Sequence, residues 1–537
     1  MWRRDWLGLV AVILGGAAIG VVAWLLAPSA VEKPLPVPDG DQEIAWLHNP
    51  TSYETWENFV WATKRAEMTG DGGPEGLRVD DSGAFPEKTT VIPEIVIRRV
   101  GFEGALRVRW YKTTDQMPQE AWVNALSARD PPPLAVLGGW TSDRAKPLGD
   151  AMREARWKGP RPLLFLSTAT ADKVIPDVDI ASGGQVPDLI AVYDRSFRFC
   201  FTNKQMAEAV ADFVLSDARL RPGTSRPSLP PLIRMPGLFA SGGWEGLAGL
   251  ASDTIPAFAI EWQDDPYSTD LSERFRQALR DRADPLLGNP LLNADKYPVP
   301  FTTGRMNRAT AVEAEVARDI LRRLPPPGTR TVLVIPTVSA PARRTLRELV
   351  QGNADVGRQL VALTGDGISV NTFFRDRDLA WPVRSLRIPF VAFAHADPFA
   401  WDSPKGGATP PRGYELPPPA PGEVCSTTED LRHYNRLVRV LSAAVFPDGG
   451  GSIVNAPDAV ATAFRQLDPP FFQQSGNRRG GSGEHVVVIR PTIHAGGPID
   501  RDRPDASLEV YVRSARRSGW VQLHSLPLGM STGRNQP

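Results

Sequence analysis

This chain has few cysteines, few histidines and no excess of charge. It contains 2 cysteines and 6 histidines in 537 residues. Two cysteines are too few for a disulfide framework, and whether Cys200 and Cys425 pair depends on whether the fold brings them together. Lysine plus arginine equals aspartate plus glutamate at 61 each, so the net charge gives no case for a nucleic-acid-binding protein.

Several catalytic and cofactor motifs are also missing. The sequence has no G-x-S-x-G nucleophile elbow, no H-E-x-x-H zinc motif, no P-loop and no G-x-G-x-x-G after a predicted strand. His395 with Asp397 is a weak metal pair. The aspartates within 500–505 begin like a calcium loop, but position twelve is Tyr511 rather than glutamate. We therefore expect neither an enzyme nor a bound metal or cofactor.

The N-terminus does hold a long apolar run. Residues 7–27 form 21 uncharged residues, about 31 Å as a helix, which matches a bilayer core of about 30 Å. A cleaved signal peptide usually has a shorter apolar region and an A-x-A-like site, so we favour an uncleaved transmembrane anchor over a cleaved signal. Arg3 and Arg4 precede the run, and the positive-inside rule then places the bulk of the chain on the periplasmic side of the inner membrane. The proline-rich residues 28–40 read as a linker.

Alternating strand and helix patterns over the rest of the chain predict an α/β fold with parallel sheets. The predicted strands are 44–47, 95–100, 106–111, 134–137, 163–166, 255–262, 331–335, 360–363, 388–394, 486–489, 508–512 and 519–523. The predicted helices are 51–67, 119–127, 142–157, 204–215, 269–282, 309–324, 340–351 and 428–445. The predicted loop-rich stretches are 69–90, 216–237, 283–306 and 402–424.

Two polar loops follow neighbouring predicted strands within residues 134–172. The first loop ends at Ser142, before a helix, and the second contains Thr168 and Thr170. In a right-handed strand–helix–strand unit both loops lie at the carboxyl edge of the sheet, where ligands bind. Ser142 as a helix cap, the helix dipole and the threonine hydroxyls would suit an anion. The alternative is that these residues only cap the helix and form turns.

Taken in order, the motifs resemble those of the type 1 periplasmic binding proteins, and more closely those of the leucine/isoleucine/valine-binding group of ABC transporter receptors. The resemblance runs from about Ile44 to Leu526. The residues that carry it are Leu137-Gly138-Gly139-Trp140-Thr141-Ser142, Ser167-Thr168-Ala169-Thr170-Ala171, Phe197-Arg198, Asn203-Lys204-Gln205, Asp264-Asp265-Pro266-Tyr267-Ser268, Gly365-Asp366-Gly367, and the pair Leu508-Glu509-Val510-Tyr511 and Gly519-Trp520-Val521.

The resemblance implies a two-lobed α/β fold with three hinge crossovers and a ligand in the interlobe cleft. Mapped onto this chain, lobe 1 holds 41–200 and 396–485, and lobe 2 holds 201–395 and 486–537. The crossovers fall near 199–202, 394–398 and 486–506. The implied function is an extracytoplasmic binding protein for an amino acid or similar small zwitterion, with an ABC transporter permease as a possible partner and no cofactor.

The resemblance also implies roles for five residues. Ser142 and Thr170 would hold the α-carboxylate of the ligand, and Thr168 would offer its backbone. Asp366 would receive the α-ammonium group through a charge-assisted contact. Tyr267 would cover the ligand from lobe 2.

Some features depart from the family pattern. Ser268 replaces the turn glycine after Tyr267, Pro266 precedes that tyrosine, and the first strand–helix loop lacks its usual glycine. Tyr53 or Trp56, near that loop, would form an apolar wall of the cleft unless they pack in the core. The alternative function is therefore a sensor or scaffold that keeps the fold and acts through a protein partner.

Overall fold

The computed structural model describes most of the chain from residue 33 onward. The described residues are 33–51, 53–69, 74–173, 188–224, 255–282, 292–300, 308–368, 388–395, 428–466, 473–474, 486–493, 506–513 and 519–527. The predicted membrane span at 7–27 lies outside them, as do Asp397, Cys425 and the predicted insertion at 402–424. Across the described part, every helix is too short or too polar to cross a bilayer.

Strands and helices alternate along the chain. The strands are β1 Gln42–His48, β2 Leu77–Asp80, β3 Glu94–Arg99, β4 Phe102–Glu103, β5 Leu106–Lys112, β6 Ala135–Gly138, β7 Leu163–Leu166, β8 Ser196–Arg198, β9 Gly223–Thr224, β10 Ile255–Trp262, β11 Leu292–Val299, β12 Thr329–Val334, β13 Leu360–Leu363, β14 Phe390–Ala394, β15 Gly451–Ser452, β16 Gln473–Gln474, β17 Val486–Ile493, β18 Ala506–Arg513 and β19 Val521–Pro527. The helices are α1 Tyr53–Thr69, α2 Gln119–Ser127, α3 Ser142–Glu154, α4 Asn203–Ser216, α5 Pro266–Asp281, α6 Ala311–Arg322, α7 Ser339–Gly352, α8 Thr428–Val445 and α9 Pro457–Gln466.

The strands form two large sheets, and we call the parts of the chain built on the first and on the second sheet lobe 1 and lobe 2. The first has the order β16-β8-β7-β6-β1-β5-β3-β2, and its strands from β8 to β5 are parallel. The second runs β11-β10-β12-β13-β14-β17-β18-β19; it is parallel from β11 to β14 and antiparallel thereafter. The protein is thus a mixed α/β fold with parallel sheets, as the sequence predicts.

Helices cover both faces of each sheet. In lobe 1 one face packs against α1, α8 and α9, and the other against α2 and α3. Every residue of β6 and β7 is buried. Strands covered on both faces are expected to be continuous apolar runs, which is why these two were recognisable in the sequence.

Three predicted loop-rich stretches contain strands, and the smallest of these strands is the two-residue β9 within 216–237. The predicted loop at 69–90 contains β2, whose buried and exposed residues alternate. The predicted loop at 283–306 contains β11, which forms the edge of the second sheet beside β10. Proline usually breaks a strand, but an edge strand tolerates Pro298 because one side of its backbone needs no ladder partner.

A buried ionic cluster lies at the amino-terminal end of the parallel strands of the first sheet. We call this end of the sheet the base of lobe 1. The fully buried Glu43 carboxylate lies 2.7 Å from Arg109 Nη1 and 2.9 Å from Arg129 Nη1. The Tyr111 hydroxyl donates to the same carboxylate at 3.0 Å. Charges buried this deeply need such partners, so this cluster joins the start of β1 to β5.

The segment before β1 docks on this cluster. Arg129 Nη1 donates to the carbonyl of Leu35 at 2.7 Å, and Arg109 Nη1 donates to that of Pro36 at 3.0 Å. Asp41 accepts from the Ala105 N–H at 2.8 Å. The described end of the predicted linker is therefore part of lobe 1.

Candidate functional site

The first loop of the candidate site follows β6. Gly139 has a φ of +59°, and a Cβ there would lie 2.9 Å from the Cα of Ala145, so glycine is required for α3 to pack. The prediction that Ser142 caps α3 is wrong, because the extended residue Thr141 occupies the N-cap position and Ser142 is the first helical residue. The buried Ser142 Oγ instead accepts from the Ala171 N–H at 3.1 Å, which joins the first loop to the second.

The second loop follows β7. Thr168 donates its hydroxyl to the carbonyl of Trp140 at 2.7 Å. Thr170 is buried, and its carbonyl accepts from the N–H of Asn203 at 2.8 Å. The ring centroids of Trp140 and His48 are 4.8 Å apart. Burial lowers the pKa of the His48 imidazole to about 4. Ser142, Thr168 and Thr170 thus share one edge of lobe 1.

The lobe 2 side of the site is built on Tyr267, near the start of α5. Its hydroxyl accepts from the Gly367 N–H at 2.9 Å. Burial, followed by the charge of Asp366, raises the pKa of Tyr267 well above its usual value, so it stays a neutral phenol. A Cβ on Gly365 would lie 2.7 Å from the Tyr267 hydroxyl oxygen, so the glycine of this loop admits the tyrosine.

Asp366 lies between Gly365 and Gly367 and forms a hydrogen bond with a histidine. His395 Nε2 lies 2.7 Å from Asp366 Oδ2. His395 directly follows β14 and approaches His433 of α8, with ring centroids 6.1 Å apart. Burial and the neighbouring His395 lower the pKa of His433 to about 3, so it is neutral at pH 7. Asp366 is thus one partner of His395, while Asp397 lies outside the described residues.

Four further residues clamp the two lobes together: Asp172, Asn203, Asp270 and Arg274. The Asp172 N–H of lobe 1 donates to Asp270 Oδ2 of α5 at 2.8 Å, and Asn203 Nδ2 donates to the same oxygen at 3.0 Å. Arg274 Nε lies 3.5 Å from Asp172 and 3.4 Å from Asp270. We call these residues the interlobe clamp.

Asn203 joins the two halves of the site. Its N–H reaches the Thr170 carbonyl, and its Nδ2 donates to the Tyr267 carbonyl at 3.2 Å. Ser142, Thr170, Tyr267 and Asp366 therefore lie along one connected set of hydrogen bonds, while Thr168 bonds separately to the Trp140 carbonyl. Asn203 stands in a motif of the resemblance, but its bridging role carries no sequence signal. Asp270, and the pairing of His395 with Asp366 rather than Asp397, are recognised only from the fold.

Asp270 makes the stability of the clamp pH-dependent. Burial, followed by the charge of Asp172, raises its pKa to about 6. Between about pH 4 and 6, Asp270 is protonated in the native state but ionised in the unfolded chain. Its contribution to the free energy of unfolding therefore falls as pH rises through this range. The total decrease from this group is up to about 3 kcal/mol, and we expect it to be absent in Asp270→Asn. Urea unfolding of both proteins between pH 4 and 7 measures it.

The comparison with Asp270→Asn is needed because His48 and His433 act in the opposite sense. Their lowered pKa values make stability fall as pH drops below about 6.5. Subtracting the two pH profiles cancels these histidines. Asp194→Asn, at an exposed ion pair, is the matched control and should follow wild type. Parallel profiles for wild type and Asp270→Asn would contradict the assignment.

Fold and site together define a mixed α/β protein with two large sheets and a candidate site where residues packed on both sheets meet. No family model and no curated protein matches the sequence. Among solved structures, the chain is similar to an ABC transporter substrate-binding protein from Desulfitobacterium hafniense, at 13% identity and a TM-score of 0.44, over 85% of this chain and 98% of that one.

Two other solved structures are similar to the same degree. A leucine-binding protein from Thermotoga maritima has 12% identity and a TM-score of 0.44, over 90% of this chain and 98% of that one. A solute-binding protein of an ABC transporter from R. palustris, in complex with 4-hydroxybenzoate, has 11% identity and a TM-score of 0.43, over 91% and 96%. These neighbours are substrate-binding proteins, but likeness at this level assigns no role to a residue of this chain.

Proposed function

We propose that this chain is a membrane-anchored, extracytoplasmic solute-binding protein that holds a small carboxylate-bearing solute, such as an amino acid, between its lobes. The observation that supports this most is the meeting of Ser142 and Thr170 of lobe 1 with Tyr267 and Asp366 of lobe 2 through Asn203. Ligands of open α/β sheets bind at such carboxyl edges. An ABC transporter permease is the proposed partner, reached from the periplasmic side of the inner membrane.

Enzymatic use of the same site is disfavoured by its thiol. Asp366 and His395 have the arrangement of an orienting acid and a base. Cys200 carries a thiol near this pair. Burial raises the pKa of the Cys200 thiol to about 12, and the negative charge of Asp366 acts in the same direction. A protonated thiol is a poor nucleophile, so we propose binding rather than catalysis.

A thermal-shift screen tests the proposal. Residues 33–537, which keep the docked segment, would be screened against amino acids and small carboxylic acids. A ligand at 100 times its dissociation constant stabilises the fold by about 2.7 kcal/mol, which corresponds to a shift of roughly 2–4 °C. We expect a selective shift that Ser142→Ala abolishes and that Asp194→Ala, at an exposed ion pair, retains. No shift across the panel would contradict the proposal.

The second candidate is a sensor or scaffold that acts through a protein partner. The interlobe clamp favours it, because Asp172 and Asp270 hold the lobes to each other directly. Crosslinking of the full chain in its membrane tests this candidate. A partner captured by wild type and lost on Asp270→Ala would support it, whereas capture independent of the clamp would count against it.

A further inference from the structure

Asp366, the residue expected to receive an ammonium group, is already occupied by protein groups. His395 Nε2 approaches one carboxylate oxygen at 2.7 Å, and both side chains are largely buried, at 16% exposure for Asp366 and 12% for His395. The neutral Tyr267 hydroxyl also hydrogen-bonds Asp366. Two donors of the protein thus face the carboxylate that a zwitterion would need.

The His395 ring is held in place by its neighbours. It lies 5.6 Å from the ring of Phe201 and 5.6 Å from that of the buried Phe393. His433 closes a third side. Moving His395 away from Asp366 would break these contacts, so the imidazole is a fixed partner of the carboxylate.

An ammonium group fits poorly beside this pair. It carries three donors and no acceptor, and it would meet the His395 N–H and the Tyr267 O–H, which are donors themselves. A cation taken out of water without a new partner is costly to bury.

The other half of the site remains suited to a carboxylate. Ser142 Oγ accepts from the Ala171 N–H, and a hydroxyl that accepts still has its own hydrogen to donate to a ligand oxygen. Ser142 also begins α3, whose dipole favours negative charge at this point. The site therefore keeps its anion-binding side.

We infer that the solute is a small carboxylic acid without an α-ammonium group, and that the His395–Asp366 pair selects it over the corresponding amino acid. This inference rests on the proposed function and narrows its ligand class. His395 acts here as a specificity-determining residue, because it satisfies the Asp366 carboxylate that would otherwise favour a zwitterion.

Matched ligand pairs test the inference. Isothermal titration calorimetry with residues 33–537 would compare 4-methylpentanoate with leucine and 3-phenylpropionate with phenylalanine, which differ within each pair chiefly by the α-ammonium group. We expect at least one acid to bind, and to bind at least about tenfold tighter than its amino acid. Equal or tighter binding of the amino acid would overturn the inference while leaving the proposed function standing. Binding of neither member of either pair, nor of any compound in the broader screen, would overturn both.

Two variants of His395 separate selection from folding. His395→Ala exposes the Asp366 carboxylate and should shift the acid-to-amino-acid ratio at least about tenfold toward the amino acid. His395→Gln keeps an N–H donor at this position and should retain the preference for the acid. An unchanged ratio in a folded His395→Ala protein would contradict the inference, and the wild-type pairs decide it if that variant fails to fold.

Discussion

Glu43→Ala should destabilise the protein by about 3–5 kcal/mol, because it leaves Arg109 and Arg129 buried without their shared carboxylate. The Glu43 side chain is fully buried, so water cannot replace it. Urea unfolding of residues 33–537 followed by tryptophan fluorescence would measure the loss. Binding at the cleft should change little in the protein that remains folded, since the cluster lies at the opposite end of the strands.

The control for this prediction is an ion pair at the surface. Arg161 and Asp194 are 2.7 Å apart but exposed, so Arg161→Ala should cost no more than about 1 kcal/mol. Glu43→Gln keeps an acceptor oxygen without the charge and should fall between the two. A loss below about 1 kcal/mol for Glu43→Ala would show that the base of lobe 1 rearranges to admit solvent.

Trp56→Ala should destabilise lobe 1 by about 3–5 kcal/mol, the usual cost of deleting a large buried aromatic side chain. Trp56 is 1% exposed, donates its indole N–H to the Ala84 carbonyl at 2.8 Å and packs on Trp46 and Trp110. Thermal unfolding monitored by circular dichroism would measure it. The structure thus places Trp56 in the core.

Tyr53→Ala is the matched control, three residues earlier on α1. Tyr53 is 52% exposed and touches Phe85 at its edge, so its removal should cost under about 1 kcal/mol. If Trp56→Ala instead abolished ligand binding with unchanged stability, the tryptophan would be a wall of the site. Equal losses for the two variants would contradict the burial of Trp56.

The fold was largely predictable where one physical signal dominated. The strand β10 and the helix α2 match their predictions residue for residue, because their apolar spacing is uninterrupted. The edge strand β11 was missed because its buried positions 292, 294, 297 and 299 do not alternate strictly and Pro298 looks like a breaker. Edge position is a property of the sheet, which local sequence does not contain.

The candidate site also has a part that was predictable from the sequence and a part that was not. Ser142, Thr168 and Thr170 lie within one strand–helix–strand unit, so local topology brings their loops to the same edge. The pair Asp366 and His395 is separated by 29 positions, and Asn203 and Asp270 by 67. Such contacts exist only once the lobes have formed, and they determine which polar groups of the site are already satisfied.

The docking of Leu35 and Pro36 on lobe 1 sets how far the protein would stand from a membrane. With the proposed anchor ending at Ala27, residues 28–34 would bridge at most about 25 Å, at roughly 3.3–3.6 Å per residue. The seven-residue strand β1 then carries the cleft edge about 23 Å beyond that attachment point. Such a short linker would hold the base of lobe 1 close to the lipid headgroups. It would favour an orientation in which the cleft opens away from the bilayer or along its surface.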